Sequence, residues 1–464
     1  MDVLMLARIQ FALTIMFHYI YPVLSIGLGL IMVIMEGTYL KTKNPVYLRM
    51  AQFWTKVFAL TFAIGVATGI VMEFEFGTNW ATYSRYVGDV FGSALAAEGV
   101  FAFFLESGFL AVVLFGWNRV SPKFHFFATT MVCLGAHFSA IWIVVANAWM
   151  QTPAGYHIVG EGLSARAEIT DFWGMVFNPS SVVRLQHVIL GCWLAGAFLV
   201  ISVSAFYLLK NRHREFAKKS MIIGLWVAFL TSILQAFSGH SSGKVVAQYQ
   251  PAKLAALEAL YQTESGAPLT LFGVVNAKEQ KLDYAIQIPK LLSYLSFGDF
   301  NAEVKGLDQV PKEDWPHVTA LFNVYRLMLG MWAIMLFLAV AGLYLWYRKR
   351  LEVHRWLLWI MTFSAIFPQL ANQAGWYSAE VGRYPWIVYG LLRISEGLSK
   401  SVTANHVFGS ILMFMVVYTL LFILFIYLLN EKIKHGPEEE GSDQSTPYHG
   451  LHHLVEEGAH DSDL

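Results

Sequence analysis

The stretch IQFALTIMFHYIYPVLSIGLGLIMVIME, residues 9–36, decides the fold class. It exceeds the roughly 18–20 mainly apolar residues that a helix needs to cross a bilayer, and it holds no Asp, Glu, Lys or Arg before Glu36. It is too long for the apolar core of a signal peptide and has no small-residue cleavage site, so it reads as a retained membrane helix.

Similar runs recur along the chain. Hydropathy places about nine spans, at 9–36, 57–74, 94–117, 124–148, 186–209, 219–238, 320–346, 356–374 and 405–429. The expected fold is an all-α integral membrane protein with one long external loop between helices 6 and 7. Composition agrees: 56% of the 464 residues are hydrophobic and only 14% are charged, against about 25% in soluble domains. The net charge is zero, which gives no reason to expect a nucleic-acid partner. Cys133 and Cys192 lie inside apolar runs without a CxxC or CxxCH motif, which argues against c-type haem, structural zinc and iron–sulfur centres in this chain. The organisation read from this pattern is 1–238 for the first six spans, 239–319 for the loop, 320–430 for three more spans, and 431–464 for an acidic, His-rich, disordered tail.

Basic residues orient the bundle. Lys41, Lys43, Arg49 and Lys56 follow span one, Arg119 and Lys123 span three, and Lys210, Arg212, Arg214, Lys218 and Lys219 span five. Arg348, Lys349, Arg350 and Arg355 follow span seven, and Lys432 and Lys434 span nine. By the positive-inside rule the amino terminus and the 239–319 loop lie outside and the carboxyl terminus in the cytoplasm.

Ligand-type and ionisable residues at membrane depth are costly, and each is a functional candidate. His18, His187, Met328 and Glu380 all map toward the outer side. Each alone reads more simply as packing or a helix–helix hydrogen bond. Four ligand types at one depth, with Arg326 and Arg383 nearby to meet propionates, point to haem instead. In the third span, Ala97-Glu98-Gly99-Val100-Phe101-Ala102-Phe103-Phe104-Leu105-Glu106-Ser107 sets two carboxyls about 12 Å apart along the axis and within roughly 80° around it. Such a pair suits a proton path, which Ser139 in span four would continue toward the cytoplasm. In the loop, Gln250-Pro251-Ala252-Lys253-Leu254-Ala255-Ala256-Leu257-Glu258 reads as a Pro-started helix. On pattern alone, Lys253 and Glu258 are an ordinary solvated pair.

The stretches Met72-Glu73-Phe74-Glu75-Phe76-Gly77-Thr78-Asn79-Trp80, Glu98–Ser107, Gly375-Trp376 and Gly382-Arg383-Tyr384-Pro385-Trp386 together resemble subunit I of cytochrome bd-type quinol oxidases. The resemblance runs from about Asp2 to Tyr427, with the compact loop of the short quinol-loop type, and departs at Tyr384, where Gln is more usual. It implies nine helices, an external quinol-binding loop and three haems near the outer face. His187 and Met328 would be the axial pair of a low-spin haem b. His18 and Glu380 would each ligate one of the other two, a high-spin haem b and a haem d or second haem b. Which serves which stays open. It further implies a cofactor-pocket role for Arg326 and Trp376, a catalytic role for Arg383 and for the proton-path residues Glu98 and Glu106, and quinol binding by Lys253 and Glu258.

The activity so implied is oxidation of quinol at the outer face and reduction of dioxygen to water with cytoplasmic protons, in a prokaryotic cytoplasmic (inner) membrane. This makes a proton gradient without pumping. The implied partners are subunit II, a small single-span subunit and the lipid bilayer. A haem–copper oxidase would need several clustered membrane histidines, and those here are scattered singly. A proton-coupled transporter would often show internal repeats and broken helices in matching halves, and neither is evident in the sequence.

Overall fold

The computed structural model describes residues 2–438. Helix α1 (Val3–Thr42) is capped by Asp2, and α2 (Pro45–Thr78) by Asn44 with a proline in the first turn. Short helices α3 (Ala81–Tyr86) and α4 (Gly88–Glu98) follow; α4 continues through a π-helical turn, Gly99–Phe103, into α5 (Phe104–Phe115). Helix α6 (Pro122–Gln151) starts at the Ser121-Pro122 cap. Next come the hairpin β1 (Tyr156–Val159)–β2 (Arg166–Ile169), α7 (Phe172–Val176), α8 (Ser181–Leu209) and α9 (Arg214–Tyr249).

The long loop is folded. It carries α10 (Pro251–Glu258), β3 (Glu264–Ser265), the hairpin β4 (Leu269–Asn276)–β5 (Lys281–Ile288), α11 (Leu291–Phe297) and β6 (Glu303–Val304), which pairs with β3. Then follow α12 (Val318–Tyr347), α13 (Arg355–Thr362), α14 (Ile366–Val381), the pair β7 (Trp386–Val388)–β8 (Leu392–Arg393), α15 (Ile394–Gly397) and α16 (Ala404–His435). The end of the bundle that carries α10 is called the loop end below, and the opposite end the tail end.

Among the described residues, eight helices are long and apolar enough to cross a membrane: α1, α2, the α4–α5 run, α6, α8, α9, α12 and α16. The expected eighth span is instead interrupted between α13 and α14 at Phe363–Ala365. Pro368 explains the break, because its ring occupies the space of the carbonyl four residues earlier, at Ser364. That serine turns locally, its hydroxyl donating to Met361 O at 2.7 Å. Two boundaries also move. Helix α9 runs on to Tyr249 because a helix satisfies its own backbone whatever its side chains, so the loop begins later than hydropathy sets it. Likewise α16 continues to His435, and the expected disordered tail beyond 438 lies outside the described residues.

The largest apolar core joins α1, α2, α6, α8 and α9. Its tightest crossing is α1 on α8, where a Cβ on Gly27 would stand 2.1 Å from Cys192 O and one on Gly196 would stand 2.3 Å from Gly27 C. Both obstacles are backbone, so they cannot rotate aside; small residues are what let membrane helices approach this closely. Gly27→Val is expected to cost about 1–3 kcal/mol or more by overpacking, read as a lowered thermal midpoint of the detergent-solubilised protein. An unchanged midpoint would show that the helices separate freely there.

Candidate active site

Helix α6 is the spine of the site. From the tail end upward it presents His125 and Thr129, then Gly135, Ser139, Asn147 and Gln151, and each meets an ionisable group from another element. His125 Nδ1 lies 2.7 Å from Glu36 Oε1, and Thr129 donates to Glu36 Oε2 at 2.6 Å. Gly135 makes room for Glu106, whose Cγ would be 2.5 Å from a Cβ there. Ser139 donates to Glu98 Oε1 at 2.5 Å. Asn147 Nδ2 donates to Glu380 Oε1 at 2.8 Å, and Gln151 Oε1 accepts from Lys253 Nζ at 2.5 Å.

The upper part of this ladder faces a cavity of about 1460 Å³, larger than the roughly 300–1,000 Å³ of an ordinary ligand pocket. His18, His187, Met328, Glu380, Trp376, Arg383, Glu98, Glu106, Lys253 and Glu258 all line it. The structure therefore brings together every candidate except Arg326. That residue is tied outside the lining: Nη2 to Glu258 Oε2 at 2.5 Å and Thr270 O at 2.8 Å, and Nη1 to Leu257 O at 2.9 Å. Its charge thus pairs with a loop carboxylate, while its Nε is buried without a partner.

Whether haem fits is answered by the surroundings of the ligand candidates. His18 Nδ1 lies 3.0 Å from Thr68 Oγ1, and Thr68 spends its own proton on Ile64 O at 2.8 Å. The hydroxyl must then accept from Nδ1–H, which leaves Nε2 unprotonated and able to bind iron. A glycine faces each of three ligand candidates. A Cβ would come 3.3 Å from His18 Cε1 at Gly69, 3.7 Å from His187 Cε1 at Gly239, and 3.1 Å from Met328 Sδ at Gly375. The polar counterpart for propionates is present too. Arg383 Nη2 pairs with Glu380 Oε2 at 2.5 Å, but its Nη1 is buried without a partner, as is Arg184 Nε. The donor set and its clearances fit haem.

Three residues escaped the sequence reading. Arg184 donates Nη2 to Asn147 Oδ1 at 2.5 Å, and Asn147 thereby joins it to Glu380. Its signal was visible: an arginine one turn before His187 at the mouth of a span. Asn147 and Gln151 gave none, because single amides near helix ends are common. Two further details differ from expectation. Ser139 sits with Glu98 on the loop side of Glu106, so it does not extend the path toward the tail end. And the π turn changes the register of the two glutamates. An i→i+5 turn absorbs one extra residue, so eight residues rotate as about seven, some 700°, and the two side chains share a face within about 20°.

In the loop helix, Lys253 and Glu258 are only 3% and 4% exposed, so they are not a solvated pair. Burial, then the charges of Arg184 and Arg383, hold the Lys253 ammonium well below the usual lysine range. Burial pushes the Glu258 carboxyl up against the opposing pull of Arg326.

The family model for cytochrome bd terminal oxidase subunit I matches residues 6–437. The chain belongs to that family. It is 41% identical over 451 residues to the cytochrome bd ubiquinol oxidase subunit 1 of Bacillus subtilis (strain 168), covering 95% of each chain. It is 34% identical over 515 residues to the cytochrome bd-II ubiquinol oxidase subunit 1 of Escherichia coli (strain K12), covering 97% of this chain and all of the other. The solved bd oxidase of Geobacillus thermodenitrificans superposes with a TM-score of 0.88 at 30% identity, over 94% of this chain and 99% of that one. The chain is thus a multi-pass subunit of a bacterial respiratory quinol oxidase, an oxidoreductase of the haem-containing bd class. Tyr384 stands beside Arg383, and the Arg8 guanidinium lies over its ring at 3.9 Å.

Proposed function

We propose that this subunit oxidises quinol at the loop end, facing outward, and directs cytoplasmic protons to an oxygen-reducing centre in the cavity. The observation that carries the reading is that one cavity collects the haem-ligand candidates, the carboxyl pair and the buried loop residues Lys253 and Glu258. His187 and Met328 would hold a low-spin haem b, and His18 and Glu380 one each of a high-spin haem b and a haem d or b. When bound, these groups carry electrons from quinol and reduce dioxygen to water. Lys253 Nζ and the Glu258 carboxyl orient quinol, and Glu258 takes its proton toward the outer side. Arg326 keeps Glu258 in place. Glu106 and then Glu98 pass protons from the cytoplasmic side, Ser139 holding Glu98 Oε1. Because protons are released on one side and taken up on the other, the reaction is electrogenic without pumping. The setting is the prokaryotic cytoplasmic membrane, amino terminus outside, with subunit II and a small single-span subunit as partners.

The test is a reduced-minus-oxidised optical spectrum of the purified complex with pyridine haemochrome analysis. Low-spin b signals with a far-red chlorin band support haem d, and b signals alone support haem b at that position. A well-folded complex without haem would overturn the reading. A second expectation concerns the loop: Lys253→Met raises the KM for quinol about tenfold, the loss of about 1.4 kcal/mol of binding, while the haem content stays unchanged. Unaltered steady-state kinetics in that variant would remove Lys253 from the quinol site.

A further inference from the structure

Gln151, the last residue of α6, is 1% exposed and belongs to none of the expected site groups. Its side chain stands between two charges of opposite hydrogen-bonding character. Oε1 accepts from Lys253 Nζ at 2.5 Å and from Gln250 Nε2 at 3.1 Å. Nε2 donates to Ala379 O at 3.3 Å and to Glu380 Oε1 at 3.4 Å. An ammonium only donates and an ionised carboxylate only accepts. An amide between them therefore satisfies both in one orientation alone, oxygen toward the lysine and nitrogen toward the glutamate. The chain continues on the far side, where Asn147 donates to Glu380 Oε1 and accepts from Arg184. The loop lysine and the cavity carboxylate thus share one hydrogen-bond chain along the cavity wall.

We propose that Gln151 is a positioning residue through which the hydrogen bond from Lys253 in the quinol loop sets the reduction equilibrium of the haem held at Glu380. The inference rests on the reading of Glu380 as a haem ligand and Lys253 as a quinol residue, and deepens it by joining the two sites. A donor on Oε1 draws electron density from the carboxylate, and the lysine polarises that donor through the amide. Removing the amide leaves the carboxylate richer in electrons, which favours oxidised iron and lowers the potential. In the wild type, loss of the Lys253 donor acts in the same direction.

The experiment is a double-mutant cycle on the assembled oxidase, with wild type, Q151M, K253M and the pair, read by spectroelectrochemical titration. The signal followed is the one that Glu380→Ala removes or shifts. Q151M is expected to change that haem's reduction equilibrium about tenfold, a fall of about 59 mV for a one-electron couple, and to leave the low-spin haem in place. In the Q151M background, K253M should lose most of its own effect, because the route is gone. Additive shifts, or titration curves of Q151M and wild type that superimpose, would overturn the proposal. If Q151M does not assemble, Q151N keeps a neutral amide but is one methylene too short to bridge Lys253 and Glu380. The same cycle then applies to Q151N, with the same two outcomes. Absence of haem from the wild-type complex, or no response to Glu380→Ala, would count against the underlying reading instead, so the two failures are distinguishable.

Discussion

Glu106→Leu lowers quinol-driven oxygen consumption at least about 100-fold and leaves the haem spectrum in place. The size follows from the usual 10²–10⁴-fold contribution of a positioned proton-transfer group. The selectivity follows from the packing. Glu106 is buried, and among the described residues it makes no ion pair with a cation. Replacing an unpaired buried carboxyl with an apolar group of similar size strands no partner, so folding is neutral or slightly favoured. Gly135 leaves the room that a Cγ at position 106 needs, which leucine also carries. Glu106→Gln should fail as badly, because an amide keeps the polarity but exchanges no proton in this role. Oxygen uptake by an electrode assay, paired with an optical spectrum on the same sample, checks both. Full turnover in either variant removes Glu106 from the proton path, and loss of haem would recast it as a structural residue.

The carboxyl pair also shows where the sequence was legible and where it was not. That Glu98 and Glu106 belong together could be read from two charges inside one apolar run, because burying them without purpose is expensive. Their register could not, since nothing in Gly99-Val100-Phe101-Ala102-Phe103 announces an i→i+5 turn in place of an α-turn. Hydropathy marked the apolar middle of each long helix but not its ends. Lipid dictates the first, whereas caps such as Asn44 and Ser121 and the continuation of α9 through polar residues dictate the second. Pro368 was visible, but whether a proline kinks or breaks a membrane helix depends on what re-satisfies the freed backbone, here Ser364. The ion pair of Arg326 is hidden from the sequence for a similar reason. Depth along a helix is a one-dimensional measure, and only the fold shows that its guanidinium turns to Glu258 while Arg184 stays at the cavity. Asn147 and Gln151 were invisible because their value lies in what faces them across helices.

His187 and Met328 are expected to act as a pair. They come from α8 and α12, helices separated in sequence by the whole loop, and both line the one cavity. Each has a glycine opposite: a Cβ at Gly239 would only touch the His187 ring at 3.7 Å, whereas one at Gly375 would crowd the Met328 sulfur at 3.1 Å. A thioether in a lipid-facing role needs no such clearance; one that must meet a flat ligand does. His187→Leu is therefore expected to abolish the low-spin b signal entirely, and with it more than about 99% of quinol-driven turnover, since the haem's electron route begins there. Met328→Leu keeps the volume and removes only the sulfur, so it should convert the low-spin signal to high-spin while retaining the haem in pyridine haemochrome assay. Signals from the other haems should persist in both variants, because His18 and Glu380 stand on α1 and α14. A low-spin band unchanged in His187→Leu would refute the pairing. An unchanged band in Met328→Leu alone would leave His187 in place and move the search for the second ligand to another wall of the cavity.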